Sequence, residues 1–280
     1  MTVLLDGKAL SEKILVQLES SISKLVKKPK LAVILVGNNA ASQIYVRNKQ
    51  KSALKIGMES LIIELNEDVT EDNLIEHIHI LNEDRDINGI LVQLPLPKHI
   101  NTLKIIESID PMKDVDGFHP LNAGKLFTGQ IPYSYPCTPK GIIRLLQEYN
   151  IAIEGKNAVI VGRSNIVGKP LSMLLLNNNA TVTIAHSRTK NLREITKNAD
   201  MIFSAIGQAK FITEDMVKDG ATIVDVGINR KDDKLCGDVD FENVKNKAAF
   251  ITPVPGGIGP MTIAMLMQNT LDLYKIQNNI

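Results

Sequence analysis

Cysteine is scarce in this sequence, and so is any excess of charge. Cys137 and Cys236 stand far apart with no C-x-x-C spacing, which argues for free thiols in a reducing cytoplasm and against a metal or redox role. The 32 basic and 31 acidic residues leave a net charge of +1, so no global field draws the chain to nucleic acid or to a membrane surface. No apolar run approaches the roughly 20 residues that span a bilayer. The opening residues, MTVLLDGKALSEK, hold only three consecutive strongly apolar side chains before Asp6 and are expected to be neither a signal peptide nor an anchor. The five histidines form no H-E-x-x-H pair. Asp110, Asp114 and Asp116 suggest a calcium loop. An EF-hand begun at Met112, however, lacks its first carboxylate and carries Ala123 where the closing glutamate belongs. No metal site is expected, and no solenoid repeat or low-complexity tract is present.

What is present is alternation. The 280 residues suffice for one large or two ordinary domains, and 44% apolar with 22% charged residues is an ordinary globular composition. KLAVILVG (30–37) reads as a buried parallel strand ending in glycine. SQIYVRNKQKSALKIG (42–57) has helical spacing, a serine where an N-cap belongs and a closing glycine. MESLIIEL (58–65) reads as a strand, TEDNLIEHIHIL (70–81) as a helix with acids in its first turn, and INGILVQLPLP (87–97) as a second buried strand stopped by prolines. This βαβαβ order predicts a parallel sheet with right-handed crossovers. A Pro- and Gly-richer region over 111–141 marks the best domain boundary. TPKGIIRLLQEYNI then reads as a helix, and strands are expected at 157–161, 181–185, 201–205 and 222–226. TPVPGGIGPM breaks the pattern before a last helical stretch.

One further absence is informative. VIVGRSNIVGKPL (159–171) looks like a dinucleotide-binding turn, G-x-G-x-x-G, with two glycines missing: Ser164 and Val167 hold their places, and Gly168 arrives one residue late. Gly162 can still make the tight turn, Gly168 can still let the helix pack closely, and Ser164 brings a small hydroxyl donor. Pro170 fits the first helical turn, whose free N–H groups would face an anion. On this stretch alone a ligand and a bare strand–turn–helix stand level. The next strand tips the balance. Where an NAD site carries an acid for the ribose, ATVTIA is followed by His186, Ser187 and Arg188. Ser187 and Arg188, with Arg163 in the turn, would bind a 2′-phosphate that a carboxylate would repel, so the expected cofactor is NADP. Arg188 also reads as a solvated surface arginine.

Four polar residues stand out in the first half. Tyr45 and Lys49 are four apart and share a helix face. Gln93 lies at the C-terminal end of a buried strand, where α/β sheets bind ligands, and Asp116 sits in the turn signal KDVDGFHP. Each alone also has a plain structural reading as an amphipathic tyrosine, a solvated lysine, a strand-end amide or a turn aspartate.

Together with YVRNKQKSALKIGM, ILVQLPLPKHI, DPMKDVDGFHPLNAGKL, PCTPKG, VDVGIN, GDVDF and TPVPGGIGPMTIAMLM, these residues resemble the bifunctional methylenetetrahydrofolate dehydrogenase/methenyltetrahydrofolate cyclohydrolase family. The matches run in order from about Tyr45 to Met267. The resemblance implies two α/β domains: a folate-binding catalytic domain over 1–136, completed by a C-terminal helix over 261–280, and a Rossmann-like NADP-binding parallel sheet over 137–260, with a cleft between them. It implies a cytoplasmic homodimer acting on tetrahydrofolate derivatives in one-carbon metabolism. By the same resemblance Lys49 is the catalytic lysine, Tyr45 stacks on the folate, Gln93 hydrogen-bonds the lysine and Asp116 grips the pterin. Gly162, Arg163, Ser164, Ser187 and the backbone at Ile228 match the NADP site. The chain is too short for the formyl-tetrahydrofolate synthetase domain fused to some relatives. Two rival readings are a monofunctional dehydrogenase of the same fold and a non-catalytic NADP-binding module. The second gives no reason for Tyr45, Lys49, Gln93 and Asp116 to occur together.

Overall fold

The computed structural model describes residues 1–231 and 234–280. In chain order its first elements are β1 (Val3–Leu4), α1 (Gly7–Ser23), β2 (Lys30–Val36), α2 (Ala40–Lys55), β3 (Glu59–Leu65), α3 (Glu71–Glu83), β4 (Gly89–Val92), α4 (Thr102–Ser108), α5 (Pro120–Phe127) and α6 (Cys137–Glu148). Then follow β5 (Asn157–Val161), α7 (Gly168–Asn177), β6 (Thr181–Ala185), α8 (Leu192–Lys197), β7 (Met201–Ser204), β8 (Thr222–Asp225), β9 (Asn229–Lys231), β10 (Lys234–Cys236), α9 (Phe241–Val244), β11 (Phe250–Ile251) and α10 (Ile258–Asn278). Contacts divide the chain into two compact units, Lys13–Cys137 with Ile263–Ile280, and Met1–Glu12 with Thr138–Thr262.

The first unit is built on a three-stranded parallel sheet in the order β3-β2-β4. β2 is central, and from Leu31 to Val36 it is buried throughout, which is why its sequence is an unbroken apolar run. Leu74, Ile78 and Leu81 of α3 pack with Ala32, Ile34 and Ile90 in one core, the helical period of three and four meeting the sheet. Thr70 caps α3, its hydroxyl accepting from Asn73 N. α2 begins earlier than its spacing predicts. Asn39, not Ser42, is the cap: its side-chain oxygen accepts from Ser42 N at 3.0 Å, and Ser42 is buried inside the helix.

The second unit holds a six-stranded parallel sheet in the order β1-β11-β8-β7-β5-β6 and an antiparallel two-stranded sheet of β9 and β10. The sheet's strands β5, β6, β7 and β8 lie where the alternation predicts them, with β7 and β8 each one residue shorter. The expected boundaries placed the first residues in the folate-binding domain. In the structure β1 pairs in parallel with β11, Val3 opposite Phe250, so Met1–Glu12 belongs to the six-stranded unit. At the other end Met261 and Thr262, expected in the closing helix of the folate domain, group with the six-stranded unit while α10 continues into the first. Among the described residues no helix is long and apolar enough to cross a membrane.

Candidate active site

In the first unit the chain runs up β2, returns through α2 to β3 on one side, then through α3 to β4 on the other. The C-terminal ends of β2 and β4 thus flank a point where successive connections diverge, the usual ligand position in an open α/β sheet. Lys49 projects from α2 and is half-buried. Gln93 directly follows β4, its own N–H donating to Ile34 O of β2. The Lys49 Nζ donates to Gln93 Oε1 at 3.0 Å. The Gln93 amide nitrogen donates to Leu94 O at 2.7 Å, which leaves the oxygen turned to the lysine. A hydrogen bond from an ammonium to a neutral acceptor contributes about 1.5–3 kcal/mol when shielded from water.

Asp116 is the third member. It is half-buried, and burial pushes its carboxyl up to about 6, against the pull of the Lys49 charge. Asp114 pushes in the same direction as burial, and a hydrogen bond with the Cys137 thiol opposes them. The loop carrying it is tightly fixed. Asp114, itself buried and raised by that burial, accepts from His119 N and Asn122 Nδ2 at 2.8 and 2.9 Å. Lys113 donates to the carbonyls of Leu81, Asn82 and Asp84, tying the loop to the end of α3. Gly117 has φ +69°, and a Cβ there would stand 2.6 Å from Pro136 N. Tyr45 lies one helical turn before Lys49 and is 40% exposed, on the same face as expected. Cys137 had no assigned role in the sequence. Its neighbourhood to Asp116 had no local signal, because 20 residues separate the two.

In the second unit β5 lies between β6 and β7, so the same divergence occurs at the end of β5. Gly162 sits there with φ +129°, and a Cβ on it would lie 2.5 Å from Ala205 O, just past β7. A Cβ on Gly168 would lie 2.2 Å from Gly162 O. These two glycines therefore do the jobs of turn and close packing that the sequence suggests. Ser164 differs from its expected part. Its Oγ accepts from Val167 N and Gly168 N at 3.1 and 3.3 Å, so two N–H groups expected to face an anion are taken by the serine. Its hydroxyl proton is left to be donated outward.

β6 pairs with β5 in register, Ala185 opposite Val161, so the residues after both strands emerge together. A turn closes there, with Thr189 N donating to His186 O and Arg188 N to His186 Nδ1. Ser187 and Arg188 are exposed at its tip, as Arg163 is after β5. Among the described residues neither arginine is paired with a carboxylate, and no acid stands at the end of β6. Two free cations and a glycine cradle fit a dinucleotide carrying a 2′-phosphate. Ile228 is 50% exposed after β8, which β7 separates from β5.

Two family models match, covering most of the chain: the tetrahydrofolate dehydrogenase/cyclohydrolase catalytic domain over residues 5–116 and the NAD(P)-binding domain of the same family over 136–278. The chain belongs to the tetrahydrofolate dehydrogenase/cyclohydrolase family. It is 58% identical to the bifunctional protein FolD of Sulfurihydrogenibium sp. (strain YO3AOP1), with 98% of each chain covered. It is 57% identical to FolD of Streptococcus agalactiae serotype Ia, with 96% of each covered. Among solved structures, FolD from Campylobacter jejuni superposes with a TM-score of 0.97 at 51% identity, covering all of both chains. The Trypanosoma brucei dehydrogenase-cyclohydrolase, solved with NADP and an inhibitor, superposes at 0.96 with 36% identity over 100% of this chain and 99% of its own.

Proposed function

We propose that the protein oxidises 5,10-methylenetetrahydrofolate to 5,10-methenyltetrahydrofolate with NADP and hydrolyses that product to 10-formyltetrahydrofolate. The folate is held by Tyr45, Lys49, Gln93 and Asp116. Gly162, Arg163, Ser164, Ser187, Arg188 and the backbone of Ile228 hold NADP. The observation that carries the reading is the 3.0 Å contact between Lys49 and Gln93, made at a strand end with Asp116 close enough to feel the lysine charge.

Asp116 meets the pterin's ring N–H and exocyclic amine as a paired acceptor, and Tyr45 offers its ring as a stacking face. Bound NADP supplies the acceptor for the hydride that leaves the methylene carbon. That step moves no proton, so the residues contribute placement alone. Hydrolysis is different. Water adds to the methenyl carbon and loses a proton; the carbon–N5 bond then breaks as N5 gains one, and the oxygen releases its second proton to solvent as the formyl carbonyl forms. Lys49 takes the first proton as an amine and returns one as an ammonium. Gln93 orients the nitrogen through the 3.0 Å hydrogen bond it accepts. At the other ligand, Arg163 and Arg188 with the Ser187 hydroxyl bind the 2′-phosphate, which favours NADP over NAD.

A spectrophotometric assay with methylenetetrahydrofolate and NADP, run beside NAD, tests the reading. Reduction of NADP followed by formyl product is expected, and methenyl product that never hydrolyses beyond its spontaneous rate would reduce the protein to a dehydrogenase. Family membership also supports a homodimer working in the cytoplasm, and sedimentation of the purified protein tests the dimer.

A further inference from the structure

Two acids of the six-stranded unit are buried, and the proposed chemistry uses neither. Asp225 ends β8 and Asp238 follows β10, at 3% and 0% exposure. They belong to the motifs VDVGIN and GDVDF. A carboxylate without water needs donors, and here the backbone supplies most of them. Asp225 Oδ1 accepts from Gly227 N at 3.0 Å and Asp238 N at 2.9 Å, and Oδ2 from Val239 N at 2.9 Å. Asp238 Oδ2 accepts from Ile206 N at 2.8 Å and from Gly207 N and the Ser204 hydroxyl at 3.2 Å. Its Oδ1 accepts from Gln208 N at 2.8 Å and Asn229 Nδ2 at 2.9 Å.

The two acids interlock through glycine. A Cβ on Gly227 would lie 2.1 Å from Asp238 Oδ1, and a Cβ on Gly237 would lie 1.8 Å from Asp225 Oδ2. Each carboxylate reaches its donors because the glycine near the other acid leaves room. That accounts for the Asp-x-Gly order in one motif and the Gly-Asp order in the other.

What Asp238 holds is the part of the sheet edge that faces a ligand. Its donors come from the loop leaving β7, where Gly207 and Gln208 are exposed, and from Asn229, the residue after Ile228. With the 2′-phosphate read after β6 and the pyrophosphate at the end of β5, the nicotinamide half extends over β7 and β8. We infer that Asp238 is a positioning residue for NADP: its buried carboxylate sets the loops leaving β7 and β8, and through them the backbone that receives the nicotinamide half. This rests on the NADP reading above.

The test separates the two halves of the ligand. Asp238→Asn puts an amide N–H₂ against backbone N–H donors, so two or more of its hydrogen bonds are lost. NADPH binding, followed by its fluorescence, is expected to weaken about tenfold or more. Adenosine 2′,5′-bisphosphate, which occupies only the β5–β6 side, is expected to bind as in the wild type. Unchanged NADPH binding, or equal weakening of NADPH and the fragment, overturns the inference. If Asp238→Asn does not fold, Asn229→Ala carries the test. It removes a single donor and is expected to weaken NADPH roughly two- to tenfold with the fragment unchanged, and wild-type NADPH binding there overturns the inference. A wild-type protein that binds no NADPH would instead sink the reading of the site itself.

Discussion

The two units repeat one architectural device and put different chemistry on it. In each, a central parallel strand is flanked by neighbours reached in opposite directions, β2 between β3 and β4, β5 between β6 and β7. In each, the polar residues lie past the C-terminal ends of those strands. At the end of β2 and β4 side chains meet: the Lys49 amine donates to the Gln93 amide oxygen at 3.0 Å, with Asp116 nearby. At the end of β5 the frame is bare backbone, with no room for a Cβ at Gly162 or Gly168, and it carries the exposed side chains of Arg163 and Ser164. The chemistry explains the contrast. Protons must move at a reacting carbon, and only a side chain can take up and return one. A phosphate keeps its charge and needs donors and cations brought close, which a tight glycine turn carrying arginine and serine allows. Substitutions in the three-stranded unit should therefore alter chemistry, and those in the six-stranded unit should alter nucleotide binding.

The largest expected effect is on Lys49. Lys49→Met should remove about 10²–10⁴-fold of the cyclohydrolase rate while part of the dehydrogenase rate survives, the range that acid–base catalysis spans. Supplied with methylenetetrahydrofolate and NADP, the variant should accumulate methenyltetrahydrofolate, seen by its absorbance against the measured spontaneous hydrolysis. Equal loss of both rates with folate affinity intact would place Lys49 in hydride transfer too.

Gly162→Ala is the counterpart in the other unit. The added methyl group meets Ala205 O at a φ that disfavours any side chain, a cost of about 1–3 kcal/mol. That cost falls on stability, and the shift it forces in the turn should also lower NADPH affinity. Hydrolysis of supplied methenyltetrahydrofolate, which needs no nucleotide, should persist; its parallel loss would end the proposed division.

Asp116→Asn should weaken both activities together by about tenfold or more, the value of a charge-assisted pair. A pH series sharpens this. Because burial pushes the carboxyl up to about 6, a fall from pH 7 to 5 protonates it and removes its charge and its paired acceptor, so KM for folate should rise on acidification. The asparagine variant should lack that rise. A wild-type KM flat across this range would detach Asp116 from the pterin.

The smallest effect concerns Arg188. Arg188→Ala should lower the preference for NADP over NAD about tenfold, read as the ratio of the two kcat/KM values. An unchanged ratio would return Arg188 to the solvated surface.

Much of the architecture was legible because buried parallel strands have an unmistakable apolar signature. β2, β5, β6, β7 and β8 fall within one residue of their expected limits. α1 also has a readable period, Leu10, Ile14, Leu18 and Ile22, all buried. β1 and β11 could not be read locally: each has two residues, and β1 finds its partner 247 positions along the chain, Val3 opposite Phe250. The cap of α2 falls at Asn39 rather than the expected Ser42 because both are good caps by type, and only the backbone decides which one accepts.

Of the candidate site, the sequence supplies the residue types and the expectation of NADP. The missing acid after β6, the arginines and the lysine–tyrosine spacing are all local features, set by the order of side chains along one element. Tertiary structure decided which of them meet. It put Gln93 on Lys49 across 44 residues, set Cys137 beside Asp116, and turned the Ser164 hydroxyl back onto its own helix. It also surrounds two buried acids, Asp225 and Asp238, with donors that no local sequence shows, and the role proposed for Asp238 follows from those donors. For Asp238 those donors come from Ser204, Ile206, Gly207, Gln208 and Asn229, and only packing brings them within reach.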